Sequence, residues 1–557
     1  MVKKIFNKVE SFLIKKFEEK SVPGFSVSFV SGSDIIWSNG FGYSNLEEKI
    51  PTTAETAYRV ASVSKPVIAT GLLQWMDKGV FHLDDPVNRF LKDVKIKTEF
   101  KEQPTIRNLL SHTSGLPVHV DPVCFNLNET ISLEEMIRES AITVRPPNQD
   151  IAYANTAFNI IGYLVGLFAG KPYPDYMRED LFEPLEMYSS AFEQTSHIRG
   201  LMAQPYSRKK DGPVEAVSPW YGGSTPEKPC GSLFSTAIDL SHFLIAHMNG
   251  GVYKDRRILM EETMEEMHRL QSSPGASRSG YALSWKRTWH HGNLMLSHTG
   301  GNLGWTAHVA FYPELKKGVV LLCNLNDNSG WRPPAREALR LLVGCDLSFD
   351  SETTKREIVP EKWSSLTGTY TRRFNDLEVI VEEGNLVLQR ESDKFYLEEI
   401  DETRYLVHGG KSDGVELTFE FDEEGKVKQI DLETESYALV LEDDQKVDVD
   451  AELTGTWHGN YVHPHGYFTM DLIIHDEATA SATDMGGKTI TLKEFKANLG
   501  RVTGGFKFKI LPGYSGWGAD EFEAKINLSA REGRLKGSME LESEISKSIV
   551  PLDLYKI

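Results

Sequence analysis

The chain has 557 residues, of which 40% are hydrophobic and 25% are charged, and its formal net charge is −19. These proportions are ordinary for a globular protein with a large core, and the length predicts two to four domains. The excess of negative charge argues against broad binding to nucleic acids or anionic membranes, so neither is expected as a partner.

The first segment predicts an amphipathic helix and not a signal peptide. Ile5, Val9, Phe12, Leu13 and Phe17 recur at helical spacing between charged residues, and no continuous apolar stretch follows the initial lysines. Elsewhere no apolar run approaches the length of a membrane span. The four cysteines are widely spaced, which favours free thiols in a reducing compartment. We therefore expect a cytoplasmic protein.

A hairpin and a helix follow this segment. Residues 25–30 and 35–40 are predicted to form two strands joined by a Ser-Gly-Ser-Asp turn. Residues 63–78 have the apolar pattern of a helix, which Gly79 ends.

The Ser62-x-x-Lys65 motif at the start of this helix indicates a nucleophile and its base. Positions i and i+3 share a face of a helix, so the spacing brings the Oγ of Ser62 near the Nζ of Lys65. A serine hydroxyl needs a base to remove its proton, and a buried lysine can be that base because desolvation favours its neutral form. Ser207-x-x-Lys210 has the same spacing in a polar stretch with no apolar helix behind it, so the motif alone is weak.

A second proton carrier is needed for the leaving group, and Tyr153-Ala154-Asn155 supplies a candidate. It stands directly before the strongly apolar stretch 157–168, which predicts a buried helix. Tyr153 would carry the proton, and Asn155 would hydrogen-bond Lys65 and the substrate amide. Tyr43-Ser44-Asn45 has the same pattern but fits an ordinary turn after a strand.

The third candidate element is His298-Thr299-Gly300-Gly301, at the end of a predicted strand. The glycines allow a close approach of substrate backbone, which would add to this edge as a strand. A competing Ser-His-Thr-Ser-Gly stretch surrounds His112, but it follows a short helix and ends at Leu-Pro, which fits a structural loop better.

Strands at both ends of the first 345 residues predict one α+β domain. Strands are expected near 294–297, 305–312 and 318–324, and the intervening chain is mainly helix and loop. The N-terminal hairpin and these late strands would complete a single antiparallel sheet flanked by helices.

Beyond a charged linker at 346–362, the hydrophobic period changes to two, which indicates antiparallel hairpins. Leu366-Thr367-Gly368-Thr369-Tyr370 recurs as Leu453-Thr454-Gly455-Thr456-Trp457, so two similar β-domains are predicted. We expect residues 363–448 and 450–557 to close into two small antiparallel barrels, because closure removes exposed strand edges.

Residues 20–345 resemble the class C-like branch of the serine β-lactamase and penicillin-binding-protein superfamily. Three motifs carry the resemblance and occur in the family's order: Ser62-Val63-Ser64-Lys65, Tyr153-Ala154-Asn155 and His298-Thr299-Gly300. The resemblance implies an acyl-enzyme on Ser62 and proton exchange between Lys65 and Tyr153. It also implies an oxyanion hole formed by the backbone N–H groups of Ser62 and Gly301.

Two departures from the family pattern matter. His298 stands where β-lactamases and carboxypeptidases usually carry lysine. A neutral imidazole binds a substrate carboxylate more weakly than a charged ammonium does. This disfavours a β-lactamase or a DD-carboxypeptidase. Residues 146–150 also lack the glycine often found before the tyrosine motif. The His-Thr-Gly variant followed by two lipocalin-like barrels resembles the D-aminopeptidase architecture within this superfamily.

The leading functional hypothesis is a serine hydrolase of small amides or peptides, an aminopeptidase with a preference for D-residues. The Gly- and aromatic-rich stretch 512–520 is a candidate loop for reaching the site, although an ordinary long hairpin is the simpler interpretation. One alternative is an esterase of the same fold acting on short acyl esters. Another is a ligand-binding protein with a vestigial catalytic domain, because small barrels hold apolar ligands.

No cofactor is implied by the sequence. His290-His291 and His463-x-His465 are the nearest approach to metal-ligand pairs, and surface or turn positions explain them better. The expected partner is a small-molecule or short-peptide substrate, and the chain's capacity to form a homo-oligomer is left open.

Overall fold

A computed structural model gives the fold of the chain. It describes residues 2–98, 100–116, 132–143, 146–149, 151–208, 212–219, 229–302, 304–326, 334–344, 360–372, 375–390, 393–409, 412–439, 455–463, 466–474, 480–483, 489–491, 493–498, 501–508, 522–531, 534–542 and 547–556. Two compact units are present, one formed mainly by residues before position 350 and one mainly by residues after it.

The helices described in the first unit are α1 Val2–Glu19, α2 Ser64–Asp77, α3 Ile106–Leu110, α4 Leu133–Ser140, α5 Asn155–Ala169, α6 Tyr173–Met177, α7 Ser196–Leu201, α8 Ala237–Met248, α9 Glu261–His268 and α10 Ala335–Leu342. Shorter helical turns are Ala61–Val63, Val87–Arg89 and Arg178–Phe182. Its strands are β1 Gly24–Ser31, β2 Asp34–Asn45, β3 Ile50–Pro51, β4 Tyr58–Arg59, β5 Tyr206–Arg208, β6 Val214–Ala216, β7 Phe234–Ser235, β8 Val252–Tyr253, β9 Arg256–Arg257, β10 Gly280–Tyr281, β11 Lys286–His290, β12 Asn293–Asn302, β13 Trp305–Tyr312 and β14 Lys317–Cys323.

The first unit is built on one antiparallel sheet with the strand order β10-β11-β12-β13-β14-β1-β2-β3. Strand β1 pairs with β14 from Phe25 opposite Cys323 to Ser31 opposite Lys317. The predicted α+β domain, with a sheet completed by both ends of the unit, is therefore confirmed.

Helices cover both faces of this sheet, because alternate residues of its strands face opposite sides. On β13, Ala307, Val309 and Phe311 pack into a core shared with helices α2, α5 and α8. On the opposite face, Ala310 and Tyr312 pack against α1 and α10. Each large apolar side chain that is fully buried in these cores contributes about 1.5–3 kcal/mol.

The second unit contains a closed eight-stranded barrel. Its strands are β15 Gly368–Arg372, β16 Asn375–Glu382, β17 Asn385–Arg390, β18 Asp393–Glu399, β19 Arg404–His408, β20 Glu416–Phe421, β21 Val427–Leu432 and β22 Glu435–Leu439. Pairing of β15 with β22, with Tyr370 opposite Leu439, closes it. Leu377 and Val379 point into the barrel core as the alternation predicts, whereas Val381 at the same spacing is 38% exposed. The difference arises because Val381 is near the end of its strand.

The remaining described strands form a nine-stranded antiparallel sheet in the order β26-β25-β24-β23-β31-β30-β29-β28-β27. They are β23 Gly455–His463, β24 Gly466–Ile474, β25 Ala480–Thr483, β26 Thr489–Thr491, β27 Lys493–Asn498, β28 Arg501–Phe508, β29 Phe522–Arg531, β30 Arg534–Glu542 and β31 Lys547–Lys556. The repeated Gly-Thr-aromatic sequence opens both β15 and β23. The boundary between two barrel domains at 448–450 stays a prediction, and the candidate loop 512–520 lies outside the described residues.

Within the described helices, none combines the length and the apolar character that are needed to cross a membrane.

Candidate active site

Ser62 lies on a tight turn between strand β4 and helix α2. Ala61, just before it, has a φ of 47°, a left-handed conformation that is uncommon outside glycine and must be held by its surroundings. The buried hydroxyl of Ser64 holds this turn. It donates to the carbonyl of Ala61 at 2.6 Å and accepts from the N–H of Leu233 at 3.1 Å. The candidate nucleophile is therefore fixed by the fold before any substrate binds.

Lys65 is fully buried beside Ser62. Its Nζ lies 3.0 Å from the Oγ of Ser62 and donates to the carbonyl of Cys230 at 2.9 Å. Burial disfavours the charged ammonium and lowers the pKa of Lys65 to about 8, against an opposing Coulomb effect of Cys230. A tenth or so of the lysine is then neutral at pH 7, which suits it to accept a proton from a serine hydroxyl.

Tyr153 and Asn155 flank the start of helix α5. The Nζ of Lys65 lies 4.9 Å from the centroid of the Tyr153 ring and 5.6 Å from that of Phe158. Ala154 is extended, and Asn155 begins the helix. Both Tyr153 and Asn155 are half-buried. The structure thus places Tyr153 next to the Ser62–Lys65 pair, while the contact of Asn155 with substrate stays a prediction.

The turn before Tyr153 lacks glycine, and Asn148 takes the left-handed position with a φ of 65°. Asparagine tolerates this conformation better than other non-glycine residues. Its side chain accepts from the Nδ2 of Asn108 at 2.6 Å, and its N–H donates to the carbonyl of Thr113 at 2.9 Å. These contacts hold the left-handed conformation in a turn that contains no glycine.

His112 lies against the tyrosine motif, which sequence reasoning missed. Its ring centroid is 4.4 Å from that of Tyr153, and its Nδ1 accepts from the N–H of Ala154 at 3.2 Å. The side chain is fully buried, and burial holds the pKa of His112 well below its usual range. The preceding short helix and the following Leu-Pro predict a structural loop here. The contact with Tyr153 joins residues that are distant in sequence, so no local pattern signals it.

Strand β12 brings the His298-Thr299-Gly300-Gly301 segment to the turn of Ser62. Its pairing with β11 extends only to Ser297, whereas its pairing with β13 continues to Asn302. A Cβ on Gly300 would lie 2.0 Å from the carbonyl oxygen of Val60 and 3.3 Å from the nitrogen of Ser62. Glycine is therefore required for this close approach, and Gly301, the predicted second oxyanion donor, is the next residue along the exposed edge.

His298 is a neutral imidazole at the start of this segment. It is 6% exposed, and its Nδ1 lies 2.8 Å from the carbonyl of Thr299, so Nδ1 carries the hydrogen and Nε2 does not. Burial, with the nearby charge of Lys65 as a second cause, lowers the pKa of His298 to about 3. It therefore presents no positive charge to a substrate carboxylate at neutral pH.

The competing motifs lie elsewhere. Ser207 is on β5, and its would-be partner Lys210 lies outside the described residues. Tyr43 is 43% exposed on β2, which is paired with the edge strand β3.

In the described part of the chain, no three His, Cys, Asp or Glu residues are grouped so that they would hold a metal ion. His290 instead hydrogen-bonds the hydroxyl of Tyr312 at 2.6 Å. The side chains of His463 and His465 fall outside the described part.

Comparison with known proteins places this site in a family. A family model described as Beta-lactamase matches residues 9–343, which is more than half of the chain. Beta-lactamase-like protein 2 of Dictyostelium discoideum is 29% identical over 279 residues, which are 48% of this chain and 49% of that protein. The chain therefore spans about half the length of this curated relative.

Two solved structures share the fold. The octameric penicillin-binding protein homologue from Pyrococcus abyssi is 25% identical with a TM-score of 0.54, covering 78% of this chain and 100% of the homologue. The D-amino acid amidase from Ochrobactrum anthropi SV3, complexed with L-phenylalanine amide, is 22% identical with a TM-score of 0.52, covering 61% of this chain and 97% of the amidase. With the family match across the unit that carries Ser62, Lys65 and Tyr153, the chain belongs to the Beta-lactamase family.

Proposed function

We propose that the protein is a serine hydrolase that forms an acyl-enzyme on Ser62 and cleaves small amides or short peptides. The observation that carries the proposal is the 3.0 Å contact between the Nζ of buried Lys65 and the Oγ of Ser62. A buried lysine with a lowered pKa beside a serine hydroxyl is the arrangement that general-base activation of a nucleophile requires.

In the proposed acylation step, the neutral amine of Lys65 takes the proton of Ser62 as Oγ attacks the substrate carbonyl carbon. The N–H groups of Ser62 and Gly301 would stabilise the negative charge that develops on the carbonyl oxygen, and such a donor typically contributes about 3–4 kcal/mol. The phenol of Tyr153 would protonate the departing amine and recover its proton from Lys65. Water then attacks the ester on Ser62 as Lys65 and Tyr153 accept its proton, and a proton returns to the Oγ of Ser62 when the acyl–Oγ bond breaks and the acid product leaves.

For the substrate class we propose amides of amino acids with a free amine, with a preference for the D-configuration. The neutral state of His298 supports substrates that lack a carboxylate next to the scissile bond. The similarity in fold to a D-amino acid amidase also supports it. These two observations favour an aminopeptidase or amidase over a carboxypeptidase.

The test is a hydrolysis panel on the purified protein, with Ser62→Ala as the matched control. The panel holds free-amine D- and L-aminoacyl anilides, the same anilides with blocked amines, short acyl esters and a chromogenic β-lactam. We expect Ser62-dependent cleavage of the free-amine D-anilides. Cleavage of esters alone would favour an esterase of the same fold. No difference between the wild-type and Ser62→Ala proteins would contradict a hydrolase and favour a binding role.

We further propose that the protein self-associates in the cytoplasm, as the octameric homologue from Pyrococcus abyssi suggests by analogy. Light scattering coupled to size-exclusion chromatography gives the mass directly. A mass of 62.7 kDa, that of one chain, would contradict self-association.

A further inference from the structure

The segment around His112 holds residues 152–154, which we call the tyrosine turn, through several independent contacts. The carbonyl of His112 accepts from the N–H of Ala152 at 2.8 Å, and its Nδ1 accepts from the N–H of Ala154 at 3.2 Å. The two bonds grip the backbone on either side of Tyr153. His112 itself has a φ of 59°, a conformation that costs free energy and persists only where the surroundings impose it.

The imidazole also packs directly on the candidate proton carrier. Its ring is tilted by 30° from that of Tyr153, with 4.4 Å between the two centroids. The rings of Phe158 and Tyr281 enclose it at 5.2 and 4.8 Å. The ring of Tyr153 therefore packs against the imidazole of His112, which neighbouring rings hold in place.

The hydrogen bond from Ala154 determines the form of the imidazole. Nδ1 can accept only in the neutral ring with its hydrogen on Nε2. Nε2, which then carries the hydrogen, is buried and has no hydrogen-bond partner in the described part of the chain. A charged ring would lose the Ala154 bond and place a second cation near Lys65, and burial opposes this as well.

We propose that His112 is a positioning residue for Tyr153. As a neutral acceptor and a packing surface, it fixes the tyrosine turn so that the phenol stays within reach of Lys65 and the leaving group. This inference rests on the proposed acyl transfer at Ser62, and it assigns His112 a role that acts only through Tyr153. The role has two parts: Nδ1 accepts a hydrogen bond from the N–H of Ala154, and the ring packs against that of Tyr153.

Three substitutions separate these parts. His112→Asn keeps an acceptor near the position of Nδ1 without the ring, His112→Phe keeps a ring without the acceptor, and His112→Ala removes both. Each is combined with Tyr153→Phe, and kcat and KM are measured on the best anilide of the panel. His82→Ala, at an exposed histidine away from the site, is the control.

We expect His112→Ala to lower kcat about 10- to 100-fold, since small displacements of a catalytic group have effects of this size. KM should change little, and the Asn and Phe variants should each recover part of the loss. In the Tyr153→Phe background the same substitution should lower kcat less than about twofold, because a residue that acts through Tyr153 has nothing left to position. An equal loss in both backgrounds would overturn the inference.

A second measurement is independent of turnover. Hydrogen exchange of the peptide 151–158 should be slow in the wild-type and His112→Asn proteins and faster in His112→Phe, because only the first two supply an acceptor for the N–H of Ala154. Equal exchange in His112→Asn and His112→Phe would refute the proposed contact, whether or not the enzyme is active. Absence of Ser62-dependent turnover with the expected exchange pattern would instead contradict the proposed function and leave the Ala154 contact confirmed.

Discussion

Gly300 lies so close to Val60 that a Cβ at position 300 would approach the carbonyl oxygen of Val60 to 2.0 Å. The contact sets the distance between strand β12 and the turn that carries Ser62. Because the oxygen belongs to backbone, a side-chain rotation cannot relieve the clash. The spacing of the proposed oxyanion hole therefore depends on the absence of one methyl group.

We expect Gly300→Ala to lower kcat/KM by about 100-fold, since a shift of about 1 Å in the site has consequences of that order. The forced displacement should also destabilise the protein by about 1–3 kcal/mol. Steady-state kinetics and thermal unfolding measure the two effects. Gly200→Ala on α7 is the control, because a Cβ there meets nothing within 4 Å. Wild-type activity in Gly300→Ala would show that the strand has room to move.

The state of Lys65 predicts how acylation depends on pH. Its pKa of about 8 means that the neutral, proton-accepting form increases as the pH rises from 7 to 9. The single-turnover acylation rate should therefore rise with a midpoint near pH 8. A short acyl ester is the right substrate, because the amine of an aminoacyl anilide titrates in the same range.

Lys65→Arg is the matched variant, since a guanidinium stays protonated and cannot act as the base. It should acylate at least about 1000-fold more slowly at every pH, with an unchanged circular dichroism spectrum. A pH profile that is flat from 7 to 9 in the wild-type protein would rule out Lys65 as the titrating base.

His298 predicts which substrates the site rejects. Since its ring is neutral, substrates with a carboxylate next to the scissile bond should be poor. His298→Lys restores a charge, and we expect it to raise kcat/KM for such substrates about tenfold relative to their amides, which is the usual scale of a charged hydrogen bond. His298→Gln, which adds no charge, should leave this ratio unchanged. An equal ratio in the Lys and Gln variants would mean that substrate carboxylates do not reach position 298.

The buried histidines predict that the protein loses stability in acid. Burial lowers the pKa of five described histidines: His112, His242, His247, His268 and His298. Below about pH 6.5 these histidines bind protons in the unfolded chain but stay neutral in the folded protein. The free energy of unfolding that is present above pH 6.5 is therefore lost as the pH falls toward 3. Each such histidine contributes a slope of up to about 1.4 kcal/mol per pH unit.

Asp239 acts in the opposite direction, because burial raises the pKa of its carboxyl to about 6. It favours the folded state as the pH falls from 6 toward 4, but it is one carboxyl against five histidines. Urea midpoints followed by near-UV circular dichroism at pH 7.5, 6 and 5 should therefore decrease steadily. His268→Phe should reduce the slope, whereas the exposed His82→Gln should not. A midpoint that is constant from pH 7.5 to 5 would contradict this account.

Local and periodic features of the molecule were predictable from the sequence. Ser62 and Lys65 meet because i and i+3 share a helical face, and the barrel strands follow from a hydrophobic period of two. Contacts between distant segments were not predictable. The carbonyl of Cys230 receives the Lys65 ammonium across 165 positions, and His112 meets Tyr153 through two loops. The left-handed φ of Ala61 is likewise imposed by Ser64 and Leu233 and by nothing in its own side chain.

The pairing of β1 with β14 has a consequence for synthesis on the ribosome. Phe25 emerges early, but its partner Cys323 is added almost 300 residues later. At about 5–20 residues per second, the first strand of the nascent chain waits about 15–60 s for its neighbour, with one hydrogen-bonding edge uncovered. A transcript that stops short of β14 would release a chain without a central strand of its sheet, and we expect chaperones and proteases to remove it.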